Sequence, residues 1–291
     1  LKIHCAVAAV LLALMTEFAS GVQSGRWRVE QQPETLVNGA PVLFRVVGPP
    51  HLLSLRGDWL GHQISFRQSK TCHCWYAIAG VPLDEKPAEY ALNLEGETAG
   101  GGKVQFSQPE RVMEASYPST TITVASKYVQ PPKATLARVE EEQNLKKKIF
   151  SESADESLWS GQFEAPASAG VTAVFGSARV YNGIKRSQHE GLDFRVHTGT
   201  PVRAANAGTV ILARNLYFEG NCVMLDHGQG LMTIYMHLSK FKVKEGEKVR
   251  EGQLLGLSGG TGRVTGPHLH FAVRWQGEYL NPATLLKLTP P

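Results

Sequence analysis

The chain is short of cysteine, of long apolar runs and of excess charge. It has 4 cysteines in 291 residues, too few for a disulfide framework. Its formal net charge is +4, and its one basic block is Lys146-Lys147-Lys148. That excludes the electrostatic footprint of a nucleic-acid-binding protein and leaves only weak attraction to an anionic polymer or surface. The longest apolar stretch is "CAVAAVLLALM", Cys5 to Met15, about half of the ~20 residues that span a bilayer. Lys2 precedes it and Ala19, Ser20 and Gly21 follow. Residues 1–24 therefore read as a secretory signal peptide, and the mature chain is expected to have no transmembrane helix.

Cys72 and Cys74 stand two apart in "TCHCWY". On a strand they share one face and His73 takes the other. They are expected to stay unbonded to each other, as small buried hydrophobes rather than metal ligands.

What is present is mostly β. Residues 26–130 carry short runs rich in Val, Ile, Leu, Phe and Tyr, including "PVLFRVVG", "CWYAIAG", "EYALNLEG" and "TITVAS". Turn residues often separate them, which predicts an antiparallel sandwich. Alternation in "AEYALNLEG" would suit a tyrosine-corner strand with Tyr90 as its tyrosine. Pro131 and Pro132 end this half. Residues 131–162 read as a connecting helix, from about Lys133 to Phe150, followed by a linker. Leu136, Val139, Leu145 and Ile149 give it a loose apolar stripe. Glu140–Glu142 and Lys146–Lys148 are placed to pair along a solvated face.

Residues 163–288 return to strands with glycine-rich turns such as "NAG", "HGQG" and "SGGTG". Six histidines concentrate there: His189, His197, His227, His237, His268 and His270. In "TGPHLHF" strand alternation points His268 and His270 the same way. Two such imidazoles can share a metal, or one can bind metal while the other moves a proton. In "SQHEGLDF", His189 and Asp193 offer an imidazole and a carboxylate, both good zinc ligands. Two histidines and one aspartate leave a fourth coordination position open, as a catalytic zinc requires. A rival reading takes "HEGLD" as the start of a helical H-E-x-x-H motif with Glu190 as base. Gly191 and the strand-like "GLDFRV" oppose it. Alternation in "LMTIYMHLS" puts Tyr235 and His237 on one side, and His237 is a candidate proton carrier or transition-state stabiliser.

His189-x-Gly191-x-Asp193, "DHGQGLMTIYMHL", "VREGQLLGLSGGTG" and "TGPHLHFAV" resemble, in this order, the motifs of the lysostaphin-type (LytM-like) zinc metallopeptidases, over residues 163–286. The resemblance implies a small antiparallel β fold around one Zn2+, and cleavage of peptide bonds in bacterial peptidoglycan. It implies His189, Asp193 and His270 as zinc ligands and His237 and His268 as the catalytic histidines. His268 is the expected base and His237 the expected partner of the oxyanion, in roles that could be exchanged. The first half is similar to the immunoglobulin-like domain that precedes the peptidase in some secreted relatives. The expected architecture is thus an N-terminal immunoglobulin-like β-sandwich, a connecting helix and a C-terminal antiparallel β metallopeptidase domain.

An exported bacterial enzyme of the periplasm or outer cell envelope follows, with peptidoglycan peptides as substrate, no nucleic-acid partner, and room for a cell-wall or regulatory protein partner. The alternative is a non-catalytic or autoinhibited regulator of cell-wall hydrolases. All five positions are filled, which favours the enzyme. A residue in "VYNGIKRSQ", Asn182 foremost, is the candidate to cover the open metal position.

Overall fold

Alternation of apolar and polar side chains builds two sheets in the first half. In the strand Ala88–Thr98, Leu92 and Leu94 are buried while Ala91, Asn93 and Glu95 face solvent. The computed structural model describes residues 27–183 and 185–291; the expected signal peptide lies outside the described residues. One sheet orders Arg28–Gln32, Pro41–Val47, Trp75–Gly80 and Arg67–Gln68. The other orders Leu36–Val37, Lys103–Met113, Ala88–Thr98, Leu52–Trp59 and His62–Ser65. Between them lies Trp59, fully buried, edge-on to Phe44 and donating its indole N–H to the Gly80 carbonyl at 2.9 Å. The Tyr90 hydroxyl reaches back to the Lys86 carbonyl at 2.8 Å, the local contact expected of a tyrosine corner.

Two expectations for this half change. Cys72 and Cys74 are joined in a disulfide. The residues occupy a turn ahead of the strand Trp75–Gly80, with His73 at φ 51°. Strand alternation therefore does not apply to them. The run "TITVAS" leaves the sandwich: Ser119–Ile122 pairs in parallel with Ala178–Tyr181 in the second half.

The helix runs from Lys133 to Ser151. Leu145, Ile149 and Phe150 pack on a buried cluster that includes Leu212, Leu216, Met224 and Ile234, while Leu136 stays exposed. Its charges do not simply face water. Arg138 pairs with Glu142 along the helix, and Glu142 accepts from the Tyr217 backbone N–H at 2.7 Å. Lys146 forms a partly buried ion pair with Glu219.

The second half centres on an antiparallel sheet ordered Val171–Ala173, Leu192–Phe194, Leu269–Trp275, Leu231–Leu238, Gly220–Asp226, Gly208–Leu216 and Lys248–Val249. Glu278–Leu280 adds to Leu269–Trp275. Three short strands, Pro201–Arg203, Leu254–Leu257 and Lys240–Phe241, form a separate sheet. The cores of the two halves are continuous. At their junction Gly80 meets Leu280 and Trp275 so closely that a Cβ would lie 2.7 Å from Leu280.

Candidate metal centre

Sheet register brings the predicted ligands together. Asp193 and His270 are directly opposite each other on neighbouring antiparallel strands, so their side chains leave the same face. His189 lies just before the Asp193 strand, in non-helical chain. That removes the helical H-E-x-x-H reading and with it Glu190 as its base. The Asp193 Oδ1 is 2.8 Å from His270 Nδ1 and 3.0 Å from His189 Nε2, and the two nitrogens are 3.0 Å apart. All three residues are buried.

The surroundings set each ligand's orientation. His189 Nδ1 donates to the Val174 carbonyl at 2.8 Å, which leaves Nε2 as the lone-pair face. Arg179 donates to Asp193 Oδ2 at 2.6 Å, holding the carboxylate so that Oδ1 faces the two imidazoles. Burial would raise the Asp193 pKa, but hydrogen bonds from His189 and His270 and their charge hold it well below the usual carboxylate range. Burial pulls His270 down to about 4, against the hydrogen bond that Asp193 accepts from it. A neutral imidazole is the form that binds metal. Gly191 makes the fit possible: a Cβ there would lie 2.5 Å from His270 Nε2 and 2.6 Å from the Phe271 carbonyl oxygen.

His237 and His268 stand beside this triad. Their ring centroids are 4.9 Å apart, and His237 is 6.0 Å from His270. His268 Nε2 is 3.8 Å from Asp193 Oδ1. Strand alternation does not deliver His237. Met236 is the register partner of His270, and Tyr235 is opposite Phe271. Simple alternation would therefore put His237 on the far side with Tyr235. A bulge intervenes: Asn221 pairs with Leu238 but Val223 with Tyr235, and His237 adopts φ 64°. A bulge re-aims a side chain, and this one turns His237 into the site. Tyr235 instead lies in the core, where its hydroxyl accepts from the Ala205 N–H at 2.8 Å. The expected sharing of one face by Tyr235 and His237 is thus replaced by opposite faces.

The bulge is pinned on both sides. His237 N–H donates to the Glu219 carbonyl at 2.9 Å and His237 Nδ1 to the Thr261 carbonyl at 2.9 Å. Burial, then the charges of His270 and His268, push His237 down to about 3. His268 Nδ1 donates to the Gly266 carbonyl at 2.8 Å. In each ring Nε2 is left without a proton in the neutral state.

Asp193, His237 and His268 open onto a groove of about 460 Å³ whose lining includes Arg179, Arg263 and, from the strand Ser119–Ile122 and the chain just after it, Thr120, Ile122 and Val124. Asn182 does not cover the metal position. Its side chain donates to the Val124 carbonyl and accepts from the Val124 N–H, both at 2.9 Å, so it ties the segment after the strand Ser119–Ile122 to the groove wall. His227 is away from the site, bonded to the Ala207 carbonyl and to Thr233. Sequence reading missed Arg179, Thr261 and Gly266. Arg179 carries no motif, and the two carbonyls act through the backbone, which any residue type supplies.

The sequence profile of peptidase family M23 matches residues 187–282, the segment that holds all five residues. The chain carries a peptidase family M23 domain. It is 46% identical over 112 residues to the peptidoglycan DD-endopeptidase ShyA of Vibrio cholerae, covering 38% of this chain and 26% of that protein. It is 43% identical over 102 residues to the DD-carboxypeptidase/endopeptidase Mpg of Neisseria meningitidis, covering 35% of this chain and 24% of that one. The chain thus spans about a quarter of the length of these curated relatives. A solved peptidase M23 structure from Pseudomonas aeruginosa aligns with a TM-score of 0.65 and 28% identity, over 86% of this chain and 94% of that one. M23 domains are zinc metallopeptidase domains, and the donor set here fits. His189, Asp193 and His270 place two imidazole nitrogens and a carboxylate oxygen within 4.8 Å of one another, a three-ligand set that suits a catalytic zinc.

Proposed function

We propose that this chain is an exported zinc endopeptidase that hydrolyses peptide bonds in the stem or crosslink peptides of bacterial peptidoglycan. One observation carries the reading: a three-donor metal set adjoins two further imidazoles, each with a free Nε2, where two cavities meet, one lined by Asp193, His237 and His268 and the other by His189, His237 and His270. The names of the relatives support the substrate class.

When bound by His189 Nε2, Asp193 Oδ1 and His270 Nδ1, zinc supplies a Lewis acid for the scissile carbonyl and acidifies water at neutral pH. The chain's own residues do the rest. Arg179 fixes the carboxylate, and Val174 fixes the His189 ring. His237 and His268 handle protons. The Thr261 carbonyl holds the His237 proton on Nδ1, so a neutral His237 presents an acceptor. Donation to an oxyanion would need its imidazolium form, which burial opposes. The two roles therefore exchange: His237 takes the proton from water. His268, less enclosed and 3.8 Å from Asp193 Oδ1, carries a proton to the leaving amine.

The test is digestion of purified sacculi by the zinc-loaded protein, with released peptides identified by mass spectrometry and zinc counted on the same sample. Intact sacculi in the presence of one bound zinc would defeat the endopeptidase reading and favour the regulator.

A further inference from the structure

Arg263 is a fixed cation that the site described above leaves unused. Its backbone is clamped: the N–H donates to the Phe218 carbonyl at 2.8 Å. Next to it Gly262, at φ +78°, packs so closely that a Cβ would fall 2.4 Å from Gly220 N. Its guanidinium is held over two rings, with Cζ 4.7 Å from the Tyr181 centroid and 5.0 Å from that of Phe218. Such stacking fixes a planar guanidinium without using its N–H donors in the plane. Among the described residues, no side-chain acceptor and no carboxylate within 4.0 Å engages Arg263. The other guanidinium of the groove, Arg179, is already committed to Asp193. Arg263 is half-buried and lines the same groove as Asp193, His237 and His268. Asp193, the carboxylate that lines this groove, is taken by Arg179; Glu190 and Glu219 line an adjoining cavity with Arg263, and Glu190 feels its charge, but neither pairs with it within 4.0 Å.

A half-buried cation that is held in place, unpaired and next to the reacting groups calls for an anion from the substrate. The planar fork of N–H donors matches a carboxylate in two-point contact. We propose that Arg263 is the carboxylate-recognition residue of this groove, so that the enzyme selects peptides bearing a free carboxylate on a residue flanking the scissile bond. This rests on the peptidase reading.

The test uses the full zinc-loaded chain and two synthetic peptides that differ only at that flanking group, free carboxylate against carboxamide. A charge-assisted hydrogen-bond pair predicts a kcat/KM ratio of about 10–100 in favour of the acid. Arg263→Gln should bring the ratio close to 1, and Arg263→Lys should give an intermediate value. Calorimetric Kd values for non-hydrolysable reduced-amide analogues of the two peptides should show the same ratio without turnover. A wild-type ratio near 1, or a wild-type ratio kept by Arg263→Gln, overturns the assignment. If Arg263→Gln fails to fold, the wild-type and Arg263→Lys ratios decide it. Failure of the wild type to cut either peptide sinks the peptidase reading instead, and the calorimetric ratio then judges Arg263 by itself.

Discussion

Gly191→Ala tests the metal centre through one methyl group. In this fold a Cβ at position 191 would sit 2.5 Å from His270 Nε2, 2.6 Å from His270 Cε1 and 2.6 Å from the Phe271 carbonyl oxygen. Ordinary contact begins near 3.4 Å, so about 0.9 Å must be found. The carbonyl belongs to a central strand paired on both sides and yields little. The imidazole ring is the movable part. Moving it carries Nδ1 away from Asp193 Oδ1 and His189 Nε2, now 2.8 and 3.0 Å distant. Metal–ligand bonds tolerate about ±0.2 Å. The expected result is a zinc affinity lower by at least 10–100-fold and a stability loss of about 1–3 kcal/mol from overpacking. Competition with a zinc chelator reads the first and denaturant unfolding reads the second. Gly170→Ala, where a Cβ meets nothing within 4 Å, serves as control. A Gly191→Ala protein that binds zinc as tightly as the wild type would refute the close-approach argument.

His270→Ala should lose zinc and activity together, whereas His268→Ala should keep zinc and lose turnover by roughly 10²–10⁴-fold; metal analysis beside a sacculus-digestion assay checks both. Lys146→Met leaves the partly buried Glu219 carboxylate without its cation and should cost about 1–3 kcal/mol in denaturant unfolding. His227, fully buried, is pushed down to about 4 by desolvation. Its folded pKa is below the unfolded value of about 6.5, so the unfolded chain binds the extra proton between those values. Stability from this group is full above about pH 6.5 and declines as pH falls toward 4, by up to about 3 kcal/mol. Stability measured from pH 7 to pH 4 should fall less steeply in His227→Gln than in the wild type, and an unchanged slope would contradict it.

The donor set was legible because metal chemistry restricts residue types. Few side chains bind zinc, and the spacings His189-x-x-x-Asp193 and His268-x-His270 survive as local features of single segments. Strand alternation in the His270 strand and the helix from Lys133 were legible for the same reason, since their periods are local. The local rule failed where the chain departs from its period. Strand alternation separates Cys72 and Cys74 from each other, but a turn at His73 brings them together. Alternation puts Tyr235 and His237 on one face, but a bulge turns His237 the other way. "TITVAS" reads as one more sandwich strand, since a strand's own pattern does not specify its partner.

The sequence by itself determined which atoms can hold the metal and which imidazoles can move protons, because those are properties of side-chain type. Tertiary structure alone decided that Asp193 faces His270 across a strand pair, that Arg179 holds the aspartate, and that a segment from before the helix walls the groove. It also decided that Arg263 stands unpaired among two aromatic rings. These depend on pairing between segments distant in the chain, where register and bulges, not residue identity, fix what meets what.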